Sequence, residues 1–110
     1  AYWSIAGSVI ADALDGAHKT VGHACEFETS MIMHLRPELV DTKELRDAGE
    51  LVPGEVEGLY LPRDMKQRTR EGCTGRPDLA TAEKGAKMFT GIVERVSTAV
   101  QAMLDEPLPS

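Results

Sequence analysis

Cysteine is nearly missing from this chain, with only Cys25 and Cys73 in 110 residues. The pair has neither CxxC spacing nor the density of a disulfide-stapled secreted domain, which points to a reducing, cytoplasmic setting. Long apolar runs are missing too. Nothing approaches the roughly 20 residues that a membrane span needs, so a transmembrane chain is not expected. Positive charge is in deficit, 12 Lys and Arg against 18 Asp and Glu for a net charge of −6, and no Lys/Arg stripe stands out. That leaves no electrostatic footprint for nucleic acid or anionic lipid, and neither partner is expected. No basic segment followed by an apolar one opens the sequence, so no signal peptide is expected. What remains is an ordinary globular composition, 42% hydrophobic and 27% charged. At this length a chain buries about 65% of its unfolded surface, enough for one modest core and not for two independent domains.

Residues 1–5, AYWSI, are short, aromatic and β-prone, and read as a strand end detached from its sheet. Ile5, Val9, Ile10, Ala13 and Leu14 recur at three- and four-residue spacing. This predicts a helix to about Asp15, capped by a left-handed Gly16. Residues 16–40 then read as a loop carrying His18 and His23, followed by a helix over 26–35 whose Phe27, Met31 and Leu35 share a face; Pro37 stops it. Residues 41–78 form a long irregular segment, punctuated by Pro53-Gly54, Gly58, Pro62, Gly72, Gly75 and Pro77. Within it, 41–46 has the composition for one or two helical turns and 56–61 for short extended pieces. So much irregular backbone must be satisfied by water or by another surface, and the segment is expected to drape over something else.

The strongest periodic signal spans 79–105, where Ala82, Ala86, Phe89, Val93, Val96, Val100 and Met103 step alternately by four and three. One face of a long helix is therefore apolar, with Asp78 as expected N-cap and Pro107 as terminator. Packing on a sheet is the favoured use of that face; a coiled-coil seam is the other, weakened by the small number of heptads. The inventory is three helices, one long loop and at most one or two strands. It offers too little strand for a sheet of its own, so another polypeptide, or a missing part of this one, is expected to supply one.

The most suggestive stretch for chemistry is residues 22–30, GHACEFETS. A neutral imidazole titrating near pH 6.5 transfers protons at neutral pH and binds metals. A carboxylate near a helix N-terminus is stabilised as an anion and can orient that imidazole or ligate a metal. The plain alternative is that the macrodipole alone selects Glu26 and Glu28, while Thr29 and Ser30 only bond backbone. One His and one Glu fall short of a zinc site's three protein ligands, and HExxH spacing is absent. His18 reads as a solvated loop residue, and His34 as a core or interface residue. Cys25 reads as a buried thiol rather than a nucleophile. Tyr2 and Trp3 read either as buried aromatics or as the cover of a substrate pocket.

Three blocks in order resemble the creatininase-like (creatinine amidohydrolase) family. They are Tyr2-Trp3; HACEFETSM from His23 with LRPELV from Leu35, similar to HAGxxETSxML…RPxLV; and GRPDLATAEKG from Gly75, similar to GxPxxATxEKG. The resemblance implies an α/β class, a three-layer fold with helices flanking a mainly parallel sheet, of which residues 1–110 would be the C-terminal half as a single half-domain. The family's EQHGPHLP-like and GGHGGN-like segments, which carry its metal ligands, are not in this sequence. An N-terminal-half polypeptide is therefore the implied partner, in a hetero-oligomer with several copies of each chain.

The resemblance also implies a chemistry: hydrolysis of an amide, cyclic amide or similar bond of a small-molecule substrate by water activated on a divalent metal, zinc, manganese or iron. His23 would give and take the proton, and Glu28 would be catalytic as a metal ligand or as its orienter. Tyr2, Trp3 and Cys25 would bind substrate. Gly22 stands where creatininase has an acidic residue and Cys25 where a glycine is usual, so creatinine itself is not the expected substrate. The alternative reading is a non-catalytic docking or regulatory subunit of a hetero-oligomer.

Overall fold

The computed structural model describes residues 3–17, 19–51, 56–59 and 61–109. These form α1 (Gly7–Ala13), α2 (Glu26–Leu35), the single turn α3 (Met65–Arg68) and the long α4 (Ala82–Asp105), with 3-10 turns at Trp3–Ala6, Pro37–Leu39 and Pro77–Leu79. No β-strand occurs among the described residues, only isolated bridges joining Gly49 to Gly75 and Val56 to Leu59. The expected α/β class, half of a three-layer fold built on a mainly parallel sheet, is thereby corrected: the described chain is helical, with a long loop. The reason is visible at its start. Of the expected strand end, Ala1 and Tyr2 lie outside the described residues, and Trp3, Ser4 and Ile5 instead wind into the 3-10 turn that leads into α1; that turn packs on α4 with Ala6 fully buried. A docking surface on α4 overrides the β-propensity of three residues.

α2 occupies the span its periodicity predicts. Cys25 is its N-cap, and its last free amide, that of Arg36, donates to the Ile32 carbonyl before Pro37 prevents another turn. α1 ends earlier than expected. Leu14 turns extended and serves as the C-cap, so Gly16 is not the left-handed cap. Residues 41–46 make one hydrogen-bonded turn, Glu44 N–H to Asp41 O, rather than a helix. At the start of α4 the cap is Thr81, whose hydroxyl accepts the Lys84 N–H at 3.1 Å. Asp78 instead lies in the preceding 3-10 turn, where it takes two hydrogen bonds from Arg76. Those bonds hold its carboxyl below the usual carboxylate range.

The core lies where α1 and α2 meet α4. Ile10 and Met88 are fully buried, with Leu14, Phe27, Ala13 and Cys25 around them and Val21, Met31 and Ile92 closing the edges. Each such large side chain contributes roughly 1.5–3 kcal/mol on burial. α4 presents Gly85, Met88 and Ile92 to this core, not the stripe that its heptad-like spacing singles out. Phe89, Val93, Val100 and Met103 of that stripe are all exposed. Gly85 lets the two long helices touch: a Cβ there would lie 1.9 Å from the Ser30 carbonyl oxygen.

Candidate functional site

The loop before α2 is held by its own backbone and by a distant segment. The His23 N–H donates to Thr74 Oγ1 at 2.9 Å, and the Thr74 N–H donates to the His23 carbonyl at 2.9 Å. Gly22 is required there, because a Cβ would lie 2.2 Å from Thr74 Oγ1. Gly75, at φ 74°, then carries the chain into hydrogen bonds with Gly49 and Ala48. The irregular segment thus returns to grip the start of α2. Ala24 sits at φ 46°, in the left-handed region that costs a residue with a Cβ about 1–2 kcal/mol.

These contacts place the expected site residues that the structure describes. His23 is exposed on the loop. Glu28 is committed to its own helix: its Oε2 accepts the Cys25 N–H at 3.2 Å, and Cys25 completes a reciprocal cap. No hydrogen bond joins the His23 ring to Glu28 among the described residues. Cys25 is buried and its sulfur accepts the Gly22 N–H. It borders a cavity of about 320 Å³ that also touches Gly16, Gly22, Glu26, Gly75 and Arg76. A second cavity, of about 420 Å³, lies among Ala24, Glu28, Thr29, Ile32, Leu39 and Cys73. Trp3 is in the opening 3-10 turn with its side chain outside the described residues, and Tyr2 and His18 also lie outside them. His34 stands at the helix crossing, its ring 5.7 Å from that of Phe89.

Among the described residues no group of three or more His, Cys, Asp or Glu is arranged to hold a metal ion. The expectation of a divalent zinc, manganese or iron centre with Glu28 among its ligands is corrected for this chain, and with it the reading of the chain as a metal-dependent amidohydrolase. The physical reason is local: the Glu28 carboxylate is engaged in capping α2.

The residue that sequence reasoning undervalued is Glu26. Its buried carboxylate accepts the Asp15 N–H at 2.8 Å, the Gly16 N–H at 3.0 Å and the Lys84 ammonium at 2.7 Å. Burial alone would push this carboxyl up, but the two amides and Lys84 together outweigh it and bring it below its ordinary value. Lys84 also donates to the Leu79 carbonyl at 2.6 Å and pairs with Asp15 at 2.6 Å. One ammonium therefore ties the end of α1, the start of α2 and the start of α4 together. No sequence signal for this cluster was within reach, because Glu26 and Lys84 lie 58 residues apart.

This arrangement of a glycine-bracketed loop, a capped ETS turn and a GRPDLATAEKG helix start is matched along nearly its full length by one family model, that of creatininase (creatinine amidohydrolase), over residues 2–100. The chain belongs to the creatininase family. A solved structure of a protein assigned as a creatinine amidohydrolase, from Bacteroides fragilis NCTC 9343, superposes with a TM-score of 0.75 at 30% identity. All of the present chain is covered, but only 44% of that chain. This creatininase-family chain therefore spans less than half the length of its structural relative. No curated protein matches it. Among the described residues no helix is long and apolar enough to cross a membrane.

Proposed function

We propose that this chain is a docking subunit of a creatininase-family assembly, which uses the outward face of α4 to hold a polypeptide supplying the rest of the domain. The observation that carries this reading is the uncovered apolar stripe of α4. Met103 is 76% and Leu104 73% exposed, and Phe89, Val93 and Val100 extend the same strip. The charged residues Glu83, Lys87, Glu94 and Asp105 lie round the helix from it at the spacing of a separate face. A helix with one third buried on its own chain, one third charged and one third apolar and bare is built for a second apolar surface. The 44% coverage of the relative supports taking the remaining part of such a domain as the occupant.

Native mass spectrometry tests this reading. Val93→Asp together with Val100→Asp places two charges on the stripe. Both positions are exposed, so the chain's own stability should move by no more than about 0.5 kcal/mol per site. Affinity for the partner polypeptide should fall on the order of 100-fold, because charges would be desolvated without partners. Unchanged complex formation by the double variant would remove the proposal.

A second reading is favoured by Ala24. A left-handed, non-glycine residue beside an exposed imidazole is the kind of strain that accumulates at functional sites. In this reading His23 is offered to a site completed by the partner and transfers a proton there. His23→Ala separates the two readings, since the variant should assemble normally in both. Turnover of the complex stays unchanged if the chain only docks, and falls roughly 10²–10⁴-fold if His23 moves a proton.

A further inference from the structure

The backbone around His23 is held more tightly than a loop before a helix requires. Capping α2 needs only the reciprocal pair of Cys25 and Glu28. Beyond that pair, the Gly22 N–H donates to Cys25 Sγ and the Thr29 hydroxyl donates to the Ala24 carbonyl. His23 itself is held from a distant segment, because its N–H and its carbonyl are both taken by Thr74, at 2.9 Å each. Thr74 is buried, at 5% exposed, and the next residue fixes it in place, the Gly75 N–H donating to the Gly49 carbonyl at 2.7 Å. Both neighbours of His23 are unusual. Gly22 has no room for a Cβ beside Thr74 Oγ1, and Ala24 is left-handed. The imidazole between them is exposed and makes no hydrogen bond among the described residues, so none of this holding serves to bury or bond the ring.

We propose that Thr74 is a positioning residue, which aims the His23 imidazole into the site completed by the partner polypeptide; this rests on the second reading above, in which His23 transfers a proton there. One hydrogen bond would let His23 hinge about it. Two bonds, one to its N–H and one to its carbonyl, fix the direction of its Cα–Cβ bond and leave only the side-chain torsions free. Proton transfer needs heavy atoms within roughly 2.6–3.2 Å of each other, and a misplacement of about 1 Å can cost on the order of 100-fold. The Thr74 hydroxyl is the half of this grip that a side-chain change can remove, since the Thr74 N–H stays whatever residue stands there.

The test compares Thr74→Val, which keeps the shape and removes the acceptor, with Thr74→Ser, which keeps the acceptor. Each full chain is co-expressed with the partner polypeptide, and assembly is checked by native mass spectrometry. Diethyl pyrocarbonate, which acylates accessible neutral imidazoles, reads the placing of His23 without a substrate. In the wild-type complex His23 should be protected relative to the free full chain. Thr74→Ser should keep that protection and Thr74→Val should lose it, with assembly unchanged in both. In turnover by the complex the losses should not add, so His23→Ala/Thr74→Val should fall no further than His23→Ala alone. Protection kept by Thr74→Val, protection lost by Thr74→Ser, additive losses, or a Thr74→Val chain that no longer assembles would each overturn the inference while leaving the second reading in place. Wild-type His23 unprotected in the complex, or His23→Ala without effect on turnover, would remove that reading and the inference with it.

Discussion

Alanine at Gly85 is expected to lever α4 away from α2 and to cost about 2–3 kcal/mol. In an exposed helix the same change would stabilise by up to about 1 kcal/mol, because alanine is the better helix former. Here the added carbon would sit 1.9 Å from the Ser30 carbonyl oxygen and 2.6 Å from its carbon. Those are backbone atoms of a second helix and cannot rotate aside, so overpacking, worth roughly 1–3 kcal/mol or more, wins. The shift would also stretch the Thr81 N–H bond to Ser30 Oγ, 3.2 Å long, on the fully buried Ser30. Urea unfolding should report the loss, and the thermal midpoint should fall on the order of 10 °C for a domain of this size. Gly7 is the control: nothing lies within 4 Å of a Cβ there, so Gly7→Ala should leave stability unchanged or raise it by less than about 1 kcal/mol.

Glu26→Ala is expected to be the most damaging single change, at about 3–5 kcal/mol, out of a total for such domains of roughly 5–15 kcal/mol. It removes the acceptor of two amides and leaves Lys84, whose side chain is 17% exposed, with the solvent-facing Asp15 as its counter-charge among the described residues. Glu26→Gln keeps an acceptor for the amides while losing the charge, and should fall between wild type and Glu26→Ala. The same cluster predicts acid sensitivity. The Glu26 carboxyl is held below its ordinary value, so its contribution is fully present above the ordinary carboxylate range and is lost as pH falls through the depressed native value. Lys84 is held above its ordinary value by Asp15 and Glu26 despite burial, so the pair stays ionised at neutral pH. Unfolding free energy measured from pH 7 down to pH 3 should therefore drop more steeply for wild type than for Glu26→Gln.

The sequence pattern announced α2 and the existence and extent of α4, but not which face of α4 is used at home. A period near 3.6 reports that Phe89, Val93 and Val100 share a side; it does not say whose surface covers them. The inward side is set by Gly85 and Gly91, small residues that let α4 approach Ser30 and Val9, and their spacing with Met88 and Ile92 was a legible signal that the longer stripe masked. The family motifs were legible as a resemblance, and the family model bears them out. The α/β class was not, because it came with the resemblance rather than from strand-forming segments, and the described residues of this chain are helices and loop. Glu28, read as a metal ligand or an orienting carboxylate, caps α2, whereas Glu26, read as a macrodipole residue, is the charge that joins three segments. Neighbours in sequence separate sharply in role at a helix start, since one side chain turns back to the cap and the next turns into the core.

The tie through Lys84 also has a cost in time during synthesis. α2 is complete at Leu35, yet Met88 and Lys84, which cover and clamp it, are added only about fifty residues later. At a ribosomal rate of roughly 5–20 residues per second, the apolar sides of α1 and α2 wait some 3–10 seconds for their lid. The intervening segment offers little to shield them, since its apolar side chains Leu51, Val56, Leu59 and Leu61 point to solvent. A nascent chain stalled between Arg36 and Thr81 is thus the form of this protein most open to chaperones and to aggregation.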